Sequence, residues 1–486
     1  MLDHIRALQR SHPGLFQLLR QVGRAGIRAY WLVREVAEVI GNWLSDVVFR
    51  PVRRALASAG LTLQAIPPKI ECMLSFLGLL PRLRGETDPS LIVMVAFSDL
   101  THDPRIEREA RALAAAGYQV VVVSPTVGND IERDIDWGPS VTIDIAPIYA
   151  SRFVFRWPGF LGDRLFKSLL AYRPLAIHAH DLNMAFIAFA AGRRTGAKVV
   201  VDFHEWYSEN VSFDVKSGRY VALNRRWQGG YRWLERYCLA NADLVVTVCD
   251  SIAEAMAKEL GNGRKPEVIR NIPAIGLDPT RVYLPLKQAL GLPPHQFLLL
   301  YQGGLGPSRM IEPVIEALAH TPGCALLVRG PQMEKYERDY RAIAEVGGYS
   351  ERLFLQGAVP SRDVVVAARG ADAGIYTVLG VGRNFIYALP NKIFEYLAAG
   401  LPVLVADYPE AKRVVEQHEV GLAFDPQAPL SIAAAINRLV EDGPLRERMT
   451  VNTALALAEM DAEREWSRLA DSYRRLSQSE AGRVIV

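Results

Sequence analysis

Three stretches of this 486-residue chain bring together side chains that could do chemistry. Residues 199–210, VVVDFHEWYSEN, run an apolar strand out onto Asp202, His204 and Glu205. A strand buried on both faces presents its carboxyl end to ligands, so a histidine between carboxylates there suits a reacting group as well as a structural one. Residues 301–309, YQGGLGPSR, make a glycine-rich turn in which Gly303, Gly304 and Gly306 would let the backbone approach a phosphate. Arg309 could chelate pyrophosphate oxygens through its planar fork. Taken alone, the same turn would be an ordinary strand-to-helix connection. Residues 380–407 hold a second glycine loop, Gly380-Val381-Gly382, then Asn391 and Lys392 opening a helix, with Glu395 one turn in. A lysine near a helix N-terminus opposes the helix dipole unless an anion shares the site. A diphosphate for Lys392 and a ribose diol for Glu395 suit that arrangement better than a surface Lys–Glu pair, worth only ~0.2–0.5 kcal/mol.

The elements that must position these groups alternate along the chain. LIVMVAF (91–97) is a continuous apolar run, and Asp103-Pro104 supplies the expected N-cap and first-turn proline of a helix. Ile106, Ala110, Leu113 and Ala114 keep an apolar stripe, Gly117 is the expected stop, and YQVVVVS returns as strand. AIHAHD, a helix over 182–194, AKVVVDFHE and ADLVVTVCDS continue the series. Beyond a stretch of scattered Gly and Pro over 261–294, FLLLYQGG, CALLVRG, RLFLQGAV, ADAGIYTV, LPVLVAD and GLAF begin a second one. The expected fold class is α/β: two tandem Rossmann-like doubly wound domains, over 89–290 and 291–460, facing a cleft.

Residues 1–88 join neither series and are expected to be an α-helical extension. Apolar faces around Tyr30–Trp31 and Trp43–Phe49 are flanked by Arg20, Arg24, Arg28, Arg50, Arg53 and Arg54. This segment has 12 Lys+Arg against 7 Asp+Glu, while the rest of the chain has 44 against 46. Packing on the catalytic body, a dimer contact, and peripheral contact with an anionic membrane surface are all compatible with it. The overall charge of +3 argues against nucleic acid as a partner. Four cysteines without CxxC spacing argue against a zinc site or disulfide framework, and with no signal peptide or membrane span the expected location is the cytoplasm. The one Asp-X-Asp string, Asp134 to Asp136, falls in a polar connection and is expected to be solvated loop.

The order of these segments resembles the retaining GT-B glycosyltransferases of family four. The likeness covers residues 90–475 through DPRIEREARALAAAGYQVVVVS, HAHD, DFHEWYSE, NADLVVTVCDSIAEAM, VIRNIP, YQGGLGPSRMIEPVIEAL, RLFLQGAVP and NKIFEYLAAGLPVLVAD. A stripe at Trp466, Leu469 and Tyr473 is similar to the family's helix that crosses back onto the first domain, so 461–486 is assigned to it. The resemblance implies transfer from a UDP- or GDP-linked sugar to a glycan or lipid-linked acceptor, with no cofactor or metal; the membrane contact open to residues 1–88 would be peripheral, at the inner membrane face. It implies that Arg309 and Lys392 bind the diphosphate, with Gly303, Gly304 and Asn391 beside them, and that Glu395 holds the ribose. Ala358 and Val359 would meet the base, His204 the donor sugar, and Gly380, Val381 and Gly382 would offer backbone donors. Two positions depart from the pattern: Tyr387 stands where the family often has a glutamate, and Gly304 where many members have arginine. A hydrolysing nucleotide-sugar epimerase and a non-catalytic GT-B partner subunit are the alternative readings.

Overall fold

The computed structural model describes residues 68–98, 100, 103–126, 135–147, 163–214, 218–260, 263–272 and 282–478. The chain divides into two compact units, Met1–Arg82 and Leu83–Val486. In the first, the described residues form one helix, α1 (Pro68–Phe76), with Cys72, Leu74 and Phe76 buried. The apolar faces at Trp31, Trp43 and Phe49 lie outside the described residues, as does Asp134. Asp136 closes a turn, its carboxylate accepting from the Gly138 amide at 2.8 Å. Among the described residues no helix is long and apolar enough to cross a membrane.

The second unit holds two parallel sheets. The first is built from β1 (Asp88–Val95), β2 (Gln119–Thr126), β3 (Val141–Pro147), β4 (Pro174–His180) and β5 (Lys198–Phe203). A two-stranded antiparallel hairpin, β6 (Val211–Asp214) and β7 (Arg219–Ala222), interrupts it before β8 (Leu244–Thr247) and β9 (Glu267–Val268). Its order is β3-β2-β1-β4-β5-β8-β9. The second contains β10 (Phe297–Gln302), β11 (Cys324–Gly330), β12 (Leu353–Gly357), β13 (Ala373–Tyr376), β14 (Val403–Ala406) and β15 (Gly421–Phe424), in the order β12-β11-β10-β13-β14-β15. Their apolar runs are continuous because helices cover both faces: all seven residues of β4 and all six of β10 are buried.

Strand order reverses between β1 and β4 in one sheet and between β10 and β13 in the other, and such switch points open crevices at the strands' carboxyl ends. The helices that matter here are α2 (Pro104–Ala115), α3 (Leu182–Thr195), α4 (Arg225–Asn241), α5 (Asp250–Leu260), α6 (Asn391–Ala398) and α7 (Ala462–Gln478). In α2, Ile106, Ala110 and Leu113 are buried and Gly117 follows at φ +97°. The expected side-chain cap does not form: the Asp103 carboxylate instead accepts from the Ser98 hydroxyl at 2.7 Å, tying the end of β1 to the helix start. Trp466, Leu469 and Tyr473 of α7 enter the core of the first sheet, beside Ile106, Ala110 and Tyr118.

Candidate active site

At the switch point of the first sheet lies a buried cluster of charges. Asp202, the fifth residue of β5, accepts from Arg105 of α2 at both oxygens, with Nη2 distances of 2.9 and 2.8 Å. Arg105 and Glu109 are one helical turn apart with 2.8 Å between Nε and Oε1, and both are buried. His204 follows β5 with Nε2 3.0 Å from Asp202 Oδ2 and Nδ1 3.5 Å from Asp181 Oδ2. Asp181 adopts φ +68°, a conformation non-glycine residues hold only when their surroundings enforce it. Burial alone would push the His204 imidazole down, but Asp181 and Asp202 outweigh it and lift it to about 9. Burial would raise Asp202, yet Arg105 and His204 hold it well below the usual carboxylate range. His204 is therefore an imidazolium donor at neutral pH. Beside it opens a cavity of ≈ 150 Å³ whose walls include Ser98, Asp103, Asp181, Asn183 and Tyr207.

The switch point of the second sheet is a cationic cradle. Lys392, second residue of α6, extends over the Tyr301 ring with Nζ 4.6 Å from its centroid and 5.8 Å from that of Tyr376. Its ammonium lies against the backbone of Gly303, at φ +131°: a Cβ there would come within 2.9 Å of Nζ. Gly303 is thus required twice, by its dihedral and by the lysine. Burial and then Arg309 depress the Lys392 amine to about 7, with Glu395 opposing them. Arg309 closes a short turn, Pro307–Arg309, begun by Gly306 at φ +143°. Gly304 faces Arg309, its position for a Cβ being 4.0 Å from Nε. Among the described residues neither Arg309 nor Lys392 is within ion-pair distance of a carboxylate. Glu395 is half-buried; burial raises its carboxyl, countered by Lys392 and by Arg108 of α2 across the cleft.

The second glycine loop joins the two halves. Leu379 N donates to Ser308 O at 2.8 Å, linking this loop to the first. A Cβ on Gly382 would lie 2.8 Å from the Glu209 carbonyl, and one on Gly380 2.4 Å from the Tyr408 hydroxyl. Val381 is exposed, Asn384 Oδ1 accepts from Trp206 N at 2.9 Å, and Arg383 pairs with Glu209 and Glu259. Asn391 opens α6 half-buried, beside Lys392. Ala358 and Val359 follow β12, the edge strand two places from β10.

The model for "Glycosyltransferase Family 4" matches residues 105–272 and that for "Glycosyl transferases group 1" residues 285–455. The chain belongs to the family-four-like GT-B glycosyltransferases. A curated relative, the phosphatidyl-myo-inositol mannosyltransferase of Mycobacterium leprae, is 25% identical over 383 residues, covering 77% of this chain and 89% of the relative. Sucrose-phosphate synthase from Thermosynechococcus elongatus superposes with a TM-score of 0.66 at 17% identity, covering 80% of this chain and all of that one. Anabaena HepE, solved with UDP-glucose, gives 0.57 at 16% identity over 79% of this chain and 99% of its own. These structures share the two-domain GT-B fold.

Several groups of this glycosyltransferase escape sequence reasoning. Arg105, Glu109, His178, His180 and Asp181 join Asp202 and His204, yet the sequence marks the segments that carry them only as a helix and a strand of the alternating series and as family-like strings. The available signal was a charged pair at i, i+4 placed beside the apolar stripe of α2. Glu205 is exposed and bonds Asn210 at 2.7 Å, outside the buried charge cluster. Tyr387 stacks on Trp206 at 6.2 Å, and its carbonyl accepts from the Cys249 thiol at 3.1 Å, so it serves the domain junction. Glu109, His180, Asp202 and His204 each offer an atom within 4.8 Å of the others, a spacing a small cation could fill. That donor set fits a metal poorly, because Asp202 Oδ2 already accepts from the Arg105 guanidinium and His204.

Proposed function

We propose that this glycosyltransferase moves a sugar from a nucleoside-diphosphate donor to a hydroxyl of a glycan or lipid-linked acceptor, with retention of configuration and without a metal. The observation that carries the reading is the cradle of Gly303, Arg309 and Lys392, two cations at a helix start with no carboxylate within ion-pair distance among the described residues. HepE's complex with UDP-glucose supports a nucleotide sugar, and the name of the mycobacterial relative supports a lipid-borne acceptor. The C1–O bond to the diphosphate breaks and the acceptor oxygen bonds C1 on the same face. Its proton passes to the leaving phosphate oxygen. Arg309, Lys392 and the α6 N-terminus stabilise the charge that develops there. His204, an imidazolium donor, holds the transferred sugar; Glu395 holds the ribose and Ala358 and Val359 the base. With cations built into the chain, the diphosphate needs no divalent ion.

Thermal shift with UDP, GDP and their sugars identifies the donor, since ligand at ~100 Kd stabilises by ~2.7 kcal/mol. Transfer is then followed with the matched donor in EDTA, and the product anomer is read by NMR. Chelation that abolishes transfer, or an inverted product, overturns the corresponding part. His204→Ala should lower kcat far more than donor affinity. The basic segment 1–88 is assigned to peripheral contact at the cytoplasmic face: flotation with anionic vesicles should weaken as salt rises and fall sharply for a chain starting near Glu86. Full-length protein that ignores such vesicles removes the membrane assignment.

A further inference from the structure

A buried line of polar groups runs from the C-terminal helix to the cleft. Tyr473 of α7 is fully buried, with its hydroxyl 2.8 Å from His178 Nδ1 and the two rings stacked at 6.2 Å. His178, within β4 and also fully buried, places Nε2 3.6 Å from Glu109 Oε2 and 4.0 Å from Asp202 Oδ2. Asp202 in turn grips His204 at 3.0 Å. Neither Tyr473 nor His178 can touch a substrate; the bond between them offsets part of the cost of burying both, while His178 Nε2 makes no hydrogen bond.

We propose that Tyr473 is a positioning residue for the transfer: its hydroxyl donates to His178 Nδ1, fixes the His178 proton on Nε2, and so aims that N–H dipole at Glu109 and at the Asp202 carboxylate that holds His204, acting on them electrostatically across 3.6 and 4.0 Å and not through a hydrogen bond. The inference rests on the role of His204 beside the transferred sugar. Burial pushes the Tyr473 phenol well up, so it keeps its proton, and pushes the His178 imidazole down to about 4, so the ring is neutral. A neutral ring that accepts at Nδ1 must carry its proton at Nε2, where Glu109 and Asp202 lie. Burial and Asp202 push the Glu109 carboxyl up to about 8, which leaves Asp202 as the negative partner at neutral pH. The groups facing His204 are Asp181, His178 and His180 from β4 and its end, Asp202 from β5, the adjacent Glu205, and Arg105 and Glu109 from α2. Without the Tyr473 hydroxyl, the His178 proton is free to move to Nδ1, turning a lone pair toward Asp202 and loosening its hold on His204.

The test is two-bond ¹H–¹⁵N spectroscopy of the histidine side chains in the full chain, wild type and Tyr473→Phe, from pH 6 to 10. The wild type should show His178 protonated at Nε2 and His204 doubly protonated at pH 8. In Tyr473→Phe the His178 tautomer should change and the His204 midpoint fall by about one pH unit. Leu469→Ala, a buried position on the same helix, should lower the melting temperature yet leave both signals as in wild type. A wild-type His178 protonated at Nδ1 overturns the proposal without any variant, as does a Leu469→Ala chain that shifts His204 equally. UDP titrated into both proteins separates the outcomes: lost nucleotide binding in wild type would count against the glycosyl-transfer reading and leave the tautomer result standing.

Discussion

The two strand-end sites of this glycosyltransferase solve opposite electrostatic problems. In the first sheet every charge has a partner inside the chain: Arg105 and His204 lie against Asp202, and Asp181 lies against His204. In the second, Arg309 and Lys392 share a glycine-lined hollow with two tyrosine faces, and among the described residues Glu395 and Glu205 act on them only at longer range. A paired cluster orients a side chain whatever is bound. An unneutralised pair of cations costs stability until an anion arrives, and that cost returns as affinity. In the proposed reaction the first site is therefore scaffold for chemistry and the second is receptor for charge.

The largest effect expected from breaking this contrast is on stability. Asp202→Ala leaves Arg105 and His204 buried with their carboxylate removed and should cost about 3–5 kcal/mol. Lys392→Met removes a cation crowded by Arg309, so the ligand-free protein should be as stable as wild type or more so. Urea unfolding of both checks the pair. A neutral Asp202→Ala, or a Lys392→Met that destabilises by several kcal/mol, would show that the two sites do not differ in kind.

How much of this was legible in the sequence follows from the same contrast. Each half of the cradle is local: Gly303 to Arg309 and Asn391 to Glu395 lie within single turns, so glycine spacing and a lysine at a helix start exposed the pieces, although Lys392 meets Tyr301 only across 91 residues. Both sheets were legible from continuous apolar runs, since strands covered on both faces carry no alternation to misread. The buried cluster is non-local. Arg105 meets Asp202 across 97 residues and Tyr473 meets His178 across 295, and only the switch point between β1 and β4 brings them together. Asp103 misled for a related reason: its type suits a cap, but Ser98 competes for the carboxylate across the loop.

Next in size is nucleotide affinity. Arg309→Ala and Lys392→Ala should each weaken UDP or GDP binding about ten- to a hundredfold, as expected for lost bonds to a charged group, with uridine or guanosine little affected. Calorimetry on the four ligands decides. Diphosphate affinity unchanged in both variants would remove the cradle from the site.

Proton linkage sharpens the comparison further. Lys392 has its amine near 7 in the folded chain, below its ordinary 10.5, so a diphosphate that favours the ammonium must take up a proton on binding. UDP affinity should fall as pH rises above 7, by up to about tenfold per unit, and the slope should vanish in Lys392→Met. Stability carries opposite signs from the two sites. The depressed Lys392 makes the unfolded chain bind more protons between about 7 and 10.5, so its share of stability grows with pH. The raised His204 contributes fully below its ordinary 6.5, and that share is lost as pH rises through about 9. Melting temperatures of Lys392→Met should therefore fall with pH more steeply than those of wild type across this window. Parallel curves would mean that Lys392 is not held as an unpaired amine.

The smallest expected effect lies where the two regions meet, at Arg383. Its guanidinium bonds Glu209 Oε2 at 2.9 Å and Glu259 Oε2 at 2.8 Å, and sits 4.4 Å from the centroid of the Trp206 ring. Because Arg383 is one of the residues following Gly382, these contacts tie the second glycine loop to the first domain. The side chain is 28% exposed, so solvent screens much of the ion pairing. Stacking and a bidentate fork add what a point charge would not, and together they are worth about 1 kcal/mol. Arg383→Ala should thus lower the melting temperature by a few degrees at low salt and by less at high salt. Arg383→Lys should fall between, keeping the charge and losing the fork and the stack. Donor KM should rise a few-fold in both, because the loop proposed to offer its backbone to the sugar is less well held. The two cradle cations are untouched, so UDP affinity should stay within twofold of wild type. If Arg383→Ala instead weakens UDP as strongly as Lys392→Ala does, Arg383 belongs to the charge receptor, and the line between the two regions runs through the glycine loop itself.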